Sequence, residues 1–181
     1  ISANSFFQSK SSKPFTSQIS SASIFSRFSL AQSSFVEQLV KLCDKYGISP
    51  GLLEIEITES IRNAPEIDLK ELTGKLRQAG FTVALDDFGT EYVNLSLLSS
   101  VEFDVLKLDK TMVDDMVNNP KAQAIIESIA GICKKMGIRV VAEGIETEEQ
   151  MSVLRTCGVE TAQGYLFSRP IPVEEYEEKY L

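Results

Sequence analysis

Strand-like and helix-like stretches alternate along most of this chain, and that rhythm limits the fold more than any other feature. LLEIEITE (52–59), FTVALDD (81–87), DVLKLDK (104–110), IRVVAEG (138–144) and VETAQGYLF (159–167) are short runs rich in β-branched and aliphatic residues. Between them, DLKELTGKLRQAG (68–80), NLSLLSS (94–100), PKAQAIIESIAGICKKMG (120–137) and TEEQMSVLRTCG (147–158) space their apolar residues as helices do. Three of these four stop on glycine. Strand, helix, strand in a fixed order predicts βαβ units and a parallel sheet. Upstream, FVEQLVKLCDKYG (35–47) places Phe35, Leu39, Leu42 and Tyr46 on one helical face before a glycine stop. Residues 5–24 are Ser-rich with little periodicity, which predicts a loop or tail, and ISAN (1–4) reads as the end of a strand.

Two architectures fit this rhythm, an open doubly wound sheet and a closed (β/α)8 barrel. The polar residues discriminate between them, because each strand carries its polar groups at its C-terminal end: Glu56 and Glu59, Asp86 and Asp87, Lys107 and Asp109, Glu143 and Glu146, then Gln163. A barrel gathers all such ends at one mouth, whereas an open sheet gathers only those beside its switch point. The pattern favours the barrel. Five strands follow Ile48 and one ends at Asn4, so a full barrel calls for one or two more strands before Ile1. An opening on Ile1 rather than Met agrees with a fragment of a longer protein.

Composition removes several kinds of chemistry. There is no histidine, so Ser-His-Asp and Cys-His nucleophiles and His-containing metal sites are excluded. The formal charge of −8, with no Lys/Arg cluster, leaves no footprint for a nucleic-acid polymer. Cys43, Cys133 and Cys157 are odd in number and widely spaced, which predicts free thiols in a reducing compartment. No run approaches the ~20 apolar residues of a membrane span. Together these features predict a cytoplasmic location for the segment, with room for a membrane anchor upstream.

Carboxylates that converge on one mouth repel one another unless a cation sits among them. Hard divalent ions take oxygen ligands, and adjacent Asp86 and Asp87 can supply a bridging and a terminal carboxylate to a pair of them. Lys107, inside the ring, can orient an attacking water and offset charge in the transition state. Plainer roles compete at single positions. Glu59 or Glu146 alone reads as a solvent contact or helix cap, and Asp109 before Lys110 and Thr111 reads as a cap. A DD pair with a lysine also suits the phospho-acceptor pocket of a receiver domain, although the order of the acidic strands and the lysine strand differs.

IEITES, ALDDFGT, VLKLDK, VVAEGIETEEQ and AQGYLFSRPIP, in this order and spacing, resemble the successive signatures of the EAL domain family of cyclic di-GMP phosphodiesterases. The resemblance covers 26–181 and ISAN, and it makes 5–24 an insertion within a domain spanning 1–181. It implies a modified (β/α)8 barrel, incomplete at its N-terminus, in which two Mg2+ or Mn2+ ions activate water to open cyclic di-GMP to linear pGpG. Matched motif by motif, metal ligation falls on Asn4, Glu56, Asp86, Asp87 and Glu143. Lys107 matches the lysine at the catalytic water, Glu146 and Gln163 match supporting positions, and Glu59 matches the glutamate that steadies the loop after the DD pair. The resemblance further implies a homodimer and an upstream GGDEF or sensory domain.

The chain departs from the family pattern in two places. The Glu-Ala-Leu motif, whose glutamate is a ligand, would lie before Ile1. The loop after the DD pair reads DDFGTEYVNL, so Glu91 stands where the family has a glycine and Val93 and Asn94 stand where it has small hydroxyl residues. Two readings therefore remain: an enzyme in the intact parent, and a degenerate module that binds cyclic di-GMP or a protein without turnover.

Overall fold

The computed structural model describes residues 21–24, 34–58, 67–90, 95–172, 175 and 178. Six parallel strands form one sheet in strict chain order: β1 (Ser21–Ile24), β2 (Leu53–Thr58), β3 (Thr82–Phe88), β4 (Val105–Leu108), β5 (Arg139–Ala142) and β6 (Thr161–Ala162). Helices α1 (Phe35–Tyr46), α2 (Leu69–Gln78), α3 (Leu95–Ser100), α4 (Lys110–Asp114), α5 (Pro120–Met136) and α6 (Glu148–Thr156) fall between them. A doubly wound sheet reverses its strand order at a switch point, and this sheet never does. The order is that of a (β/α)8 barrel.

Local chemistry sets the helix ends. Asp68 caps α2 by accepting from Glu71 N at 3.0 Å, and Asn119 caps α5 by accepting from Lys121 N and Ala122 N at 3.1 and 3.3 Å. Thr147 and Gln150 form a reciprocal capping box at the start of α6. Each helix then turns one apolar stripe inward, as α5 does with Ile126, Ile129, Ala130 and Cys133.

The sheet has two unlike faces. Ile55, Ile57, Val83, Leu85, Leu106 and Leu108 join the large core under the helices. The alternate residues point the other way, where Ala84, Val105 and Val141 make a small separate apolar cluster. Asp86, Lys107 and Glu143 each follow one of these three by two residues, so they occupy the same inner face one step nearer the C-terminal ends.

Two expectations need correction. The last four residues of the Ser-rich stretch are not loop: Ser21–Ile24 pair with Leu53–Glu56 in parallel register. Backbone pairing with β2 outweighs their low strand propensity. Asn4, with the strand expected to end there, lies outside the described residues. Finally, the last strand is only Thr161–Ala162, and 163–167 runs on through a turn.

Candidate functional site at the C-terminal edge of the sheet

β3 and β2 stay in step as far as Thr58 opposite Asp86, but the β3/β4 register shifts between Leu85 and Phe88. Successive residues of a regular strand face opposite ways, and a bulge breaks that alternation. Asp87, at φ 56°, is the one non-glycine residue with positive φ among the described residues. Such backbone costs energy and concentrates at functional sites. Its N–H donates to Asp86 Oδ1 at 2.9 Å. Burial raises the Asp87 carboxyl above its usual range, with Asp86 and Asp109 adding to the rise.

Lys107 stands at the centre of the site and is 4% exposed. Its Nζ lies 2.5 Å from Glu56 Oε1, 2.6 Å from Glu143 Oε1 and 3.2 Å from Asp86 Oδ1. Gln163 donates its side-chain N–H to the same Oε1 of Glu143. Glu143 follows β5 directly and extends its ladder by donating its backbone N–H to Leu108 O at 2.9 Å. Gln163 does the same after β6, donating to Ala142 O at 2.8 Å. Four strand ends thus bring Glu56, Asp86, Lys107 and Glu143 together, and a fifth adds Gln163.

One ammonium facing three carboxylates leaves two negative charges unmatched, before Asp87 is counted. Burial first, and that excess second, shifts the titration of the cluster. Burial pushes the Glu143 carboxyl up to about 7, against the pull of Lys107, and it raises Glu56 in the same way. For Lys107, burial favours the neutral amine, but Glu143, Asp86 and Glu56 outweigh it and hold the ammonium above its ordinary range.

The donor set suits a hard divalent cation: buried carboxylate oxygens converging from several strands with charge to spare. The point on which they converge is filled by Lys107 Nζ, and among the described residues no three acids stand at ligand spacing around a common point. Glu56, Asp86 and Glu143 could hold the ion, with the ammonium drawn aside from their midst.

Other expected residues lie elsewhere. Glu146 is not in the cluster: its carboxylate is 52% exposed and accepts from Lys110 Nζ at 2.6 Å. Asp109 caps α4, accepting from Thr111 N at 2.8 Å and Thr111 Oγ1 at 2.6 Å. Glu59, Glu91, Val93 and Asn94, like Asn4, fall outside the described residues. Sequence reading passed over Glu54, which the strand alternation of β2 places on the face of Glu56 and which Arg139 Nη2 reaches at 3.1 Å. It also passed over Lys110, whose contact with Glu146 comes from a distant loop and leaves no local signal.

The family model for the EAL domain matches residues 5–170. The chain is 36% identical over 149 residues to cyclic di-GMP phosphodiesterase PA2567 of Pseudomonas aeruginosa, covering 82% of this chain and 25% of that protein. It is 36% identical over 148 residues to cyclic di-GMP phosphodiesterase RocR of the same organism, covering 81% of this chain and 38% of the relative. Among solved structures, the EAL enzyme Bd1971 in its cAMP- and cyclic-di-GMP-bound form superposes with a TM-score of 0.80 at 32% identity, over 87% of this chain and 42% of that one. The manganese/cyclic-di-GMP complex of Klebsiella pneumoniae BlrP1 gives 0.79 at 35% identity, over 84% of this chain and 39% of that one. The chain therefore spans well under half the length of these relatives.

Proposed function

This chain belongs to the EAL domain family, and from that premise we propose that it forms part of a phosphodiesterase that hydrolyses cyclic di-GMP to linear pGpG with two divalent ions, Mg2+ or Mn2+. The observation that carries the proposal is the excess of buried carboxylate around Lys107 at the C-terminal edge of the sheet. The metals, when bound, supply Lewis acidity for the phosphodiester and a nucleophile at neutral pH, and they give an acidic protein a way to hold an anionic substrate. Glu56, Asp86, Asp87 and Glu143 would offer the ligand oxygens, with Asp86 shared between the two ions and Asn4 as a further ligand. Lys107, freed from the carboxylates, donates a hydrogen bond to the attacking water and offsets charge as it develops on the phosphate. Gln163 fixes the orientation of the Glu143 carboxylate by donating to it. Glu59 steadies the loop after the DD pair.

The parent protein is proposed to be cytoplasmic and homodimeric, with a GGDEF or sensory domain upstream. A second reading, a binding module without turnover, is favoured by Glu91 in the loop after the DD pair. The two separate in one experiment: incubation of the full-length protein with cyclic di-GMP in Mg2+ or Mn2+, with Asp86→Asn as the control. Formation of pGpG that the substitution abolishes is the expected result. A folded, metal-loaded protein that binds the dinucleotide and leaves it intact would overturn the enzyme reading in favour of the binding module.

A further inference from the structure

We propose that Lys110 is a positioning residue for the loop that carries Glu143, and that Glu146 serves the site by anchoring Lys110 rather than by touching the reacting atoms. The inference rests on the phosphodiesterase reading above. Lys110 opens α4, directly after the cap Asp109 and three residues beyond Lys107. Its aliphatic stem lies across Gly144: a Cβ built on Gly144 would stand 2.6 to 2.7 Å from Lys110 Cβ, Cγ and Cδ, and Gly144 has a φ of 69°. Both the crowding and the left-handed backbone demand glycine there. Beyond the stem, Lys110 Nζ reaches Glu146 Oε1 at 2.6 Å and Asp114 Oδ1, one turn along α4, at 3.5 Å.

Lys110 thus forms a strap over the loop, with its stem on Gly144 and its charge on Glu146. The rest of the loop is held through its backbone, by two backbone–backbone bonds and by the Gln150 side chain. Ile145 N donates to Gln163 O at 3.0 Å, Leu166 N donates to Ile145 O at 2.9 Å, and Gln150 Oε1 accepts from Glu146 N and Thr147 N at 2.8 and 3.1 Å. Glu143 sits between β5 and this clamped segment, so the strap sets how its carboxylate meets Lys107. The same short helix bears on the DD loop, where Met112 packs so closely on Gly89 that a Cβ there would lie 2.1 Å from its sulfur. α4 is a spacer between the two acidic loops. The Lys110–Glu146 pair is half exposed, with side chains 43% and 52% accessible, so its contribution is to geometry more than to stability.

The test uses the full-length protein. Lys110→Met keeps the stem on Gly144 and removes the charge, and Glu146→Gln removes the anchor. Each single variant is expected to lower kcat about tenfold, the lower end of the range for groups that orient metal ligands. KM for cyclic di-GMP should stay unchanged, and the double variant Lys110→Met/Glu146→Gln should lose no more than either single. Amide hydrogen exchange should quicken in 143–147 in both single variants and stay unchanged in the strands. A loss of about 10³-fold from Glu146→Gln with Lys110→Met silent would overturn the proposal, because that is the scale of a group acting on the reacting atoms. Additive losses in the double variant, or unchanged exchange in 143–147, would overturn it as well. If the unsubstituted protein hydrolyses no cyclic di-GMP, the phosphodiesterase reading fails on its own, and the exchange rates alone decide the strap.

Discussion

At the N-terminal edge of the sheet, every acid of the ion pairs meets a guanidinium, and no guanidinium is shared by more than two acids: Glu54 meets Arg139 at 3.1 Å, and Arg77 meets Glu102 and also Asp104, the latter at 3.1 Å. Asp104 also accepts from Val83 N at 3.0 Å, so its second oxygen is used within the fold. At the C-terminal edge, one lysine faces three carboxylates, and the one left-handed non-glycine backbone among the described residues lies beside them. The same strands make both edges. Glu54 and Glu56 are two residues apart on one face of β2, yet the first has a cation largely to itself and the second shares one with two other acids. A charge arrangement made for stability would look like the first edge, and the second carries the energetic cost that active sites carry.

The sharpest test of that difference is Lys107→Met. It removes the ammonium that faces Glu56, Asp86 and the partly buried Glu143, and the loss of one partner from a buried cluster costs about 3–5 kcal/mol. Urea unfolding should show that loss, and hydrolysis of cyclic di-GMP should disappear with it. An unchanged midpoint would mean that water already screens the cluster, and the contrast between the edges would collapse. Asp86→Asn is expected to cost on the order of 10²–10³ in kcat, the scale of one lost electrostatic stabiliser. In metal-free protein, however, its stability should match or exceed that of the unsubstituted chain, since one repelling charge is gone. A fall in that stability would show that Asp86 is held by the fold rather than by the function.

At the opposite edge the expectation reverses. Arg139→Met should cost about 1 kcal/mol, discounted because half of the Arg139 side chain is in solvent. Hydrolysis should be unaffected, because Glu54 and Arg139 lie at the end of the strands opposite the mouth. A fall in kcat comparable to that of the mouth variants would dissolve the distinction between a structural and a functional edge.

How much of this was legible in the sequence follows the same division. The alternation of elements and the polar strand ends foretold a parallel sheet with its chemistry at one edge, and Glu56, Asp86, Lys107, Glu143 and Gln163 do meet there. These signals are local, since each strand end announces itself by a charge where apolar alternation stops. β1 was missed because Ser21–Ile24 become a strand only by pairing with β2, a long-range term that composition does not carry. The placement of Glu146 against Lys110 was missed for a similar reason. Motif spacing puts Glu146 near the site, but which cation it meets depends on how α4 lies across Gly144. The bulge at Asp87 was hidden too, because doubled acids in sequence do not say that the register of β3 and β4 will slip between Leu85 and Phe88.

The smallest expected effect belongs to neither edge and serves to keep the others honest. Cys133 lies in the apolar layer between α5 and the sheet, is fully buried, and has its thiol pushed up to about 11 by burial. At pH 8 the reactive thiolate would be about a thousandth of the total, and access adds a further barrier. Iodoacetamide should therefore label Cys133 only in molecules that have opened. Cys43 and Cys157, also buried, should behave alike. Because the folded thiol titrates above an ordinary thiol at 9.0, the stability it contributes is complete below pH 9 and is lost as pH rises toward 11. The difference in urea midpoint between the unsubstituted protein and Cys133→Ala should shrink across that window. Asp86→Asn should label as slowly as the unsubstituted chain, which would assign its lost activity to the mouth. Lys107→Met should label faster in proportion to its lower stability. Rapid labelling of Asp86→Asn would instead mean that the two edges fail together and that the sheet does not separate folding from function.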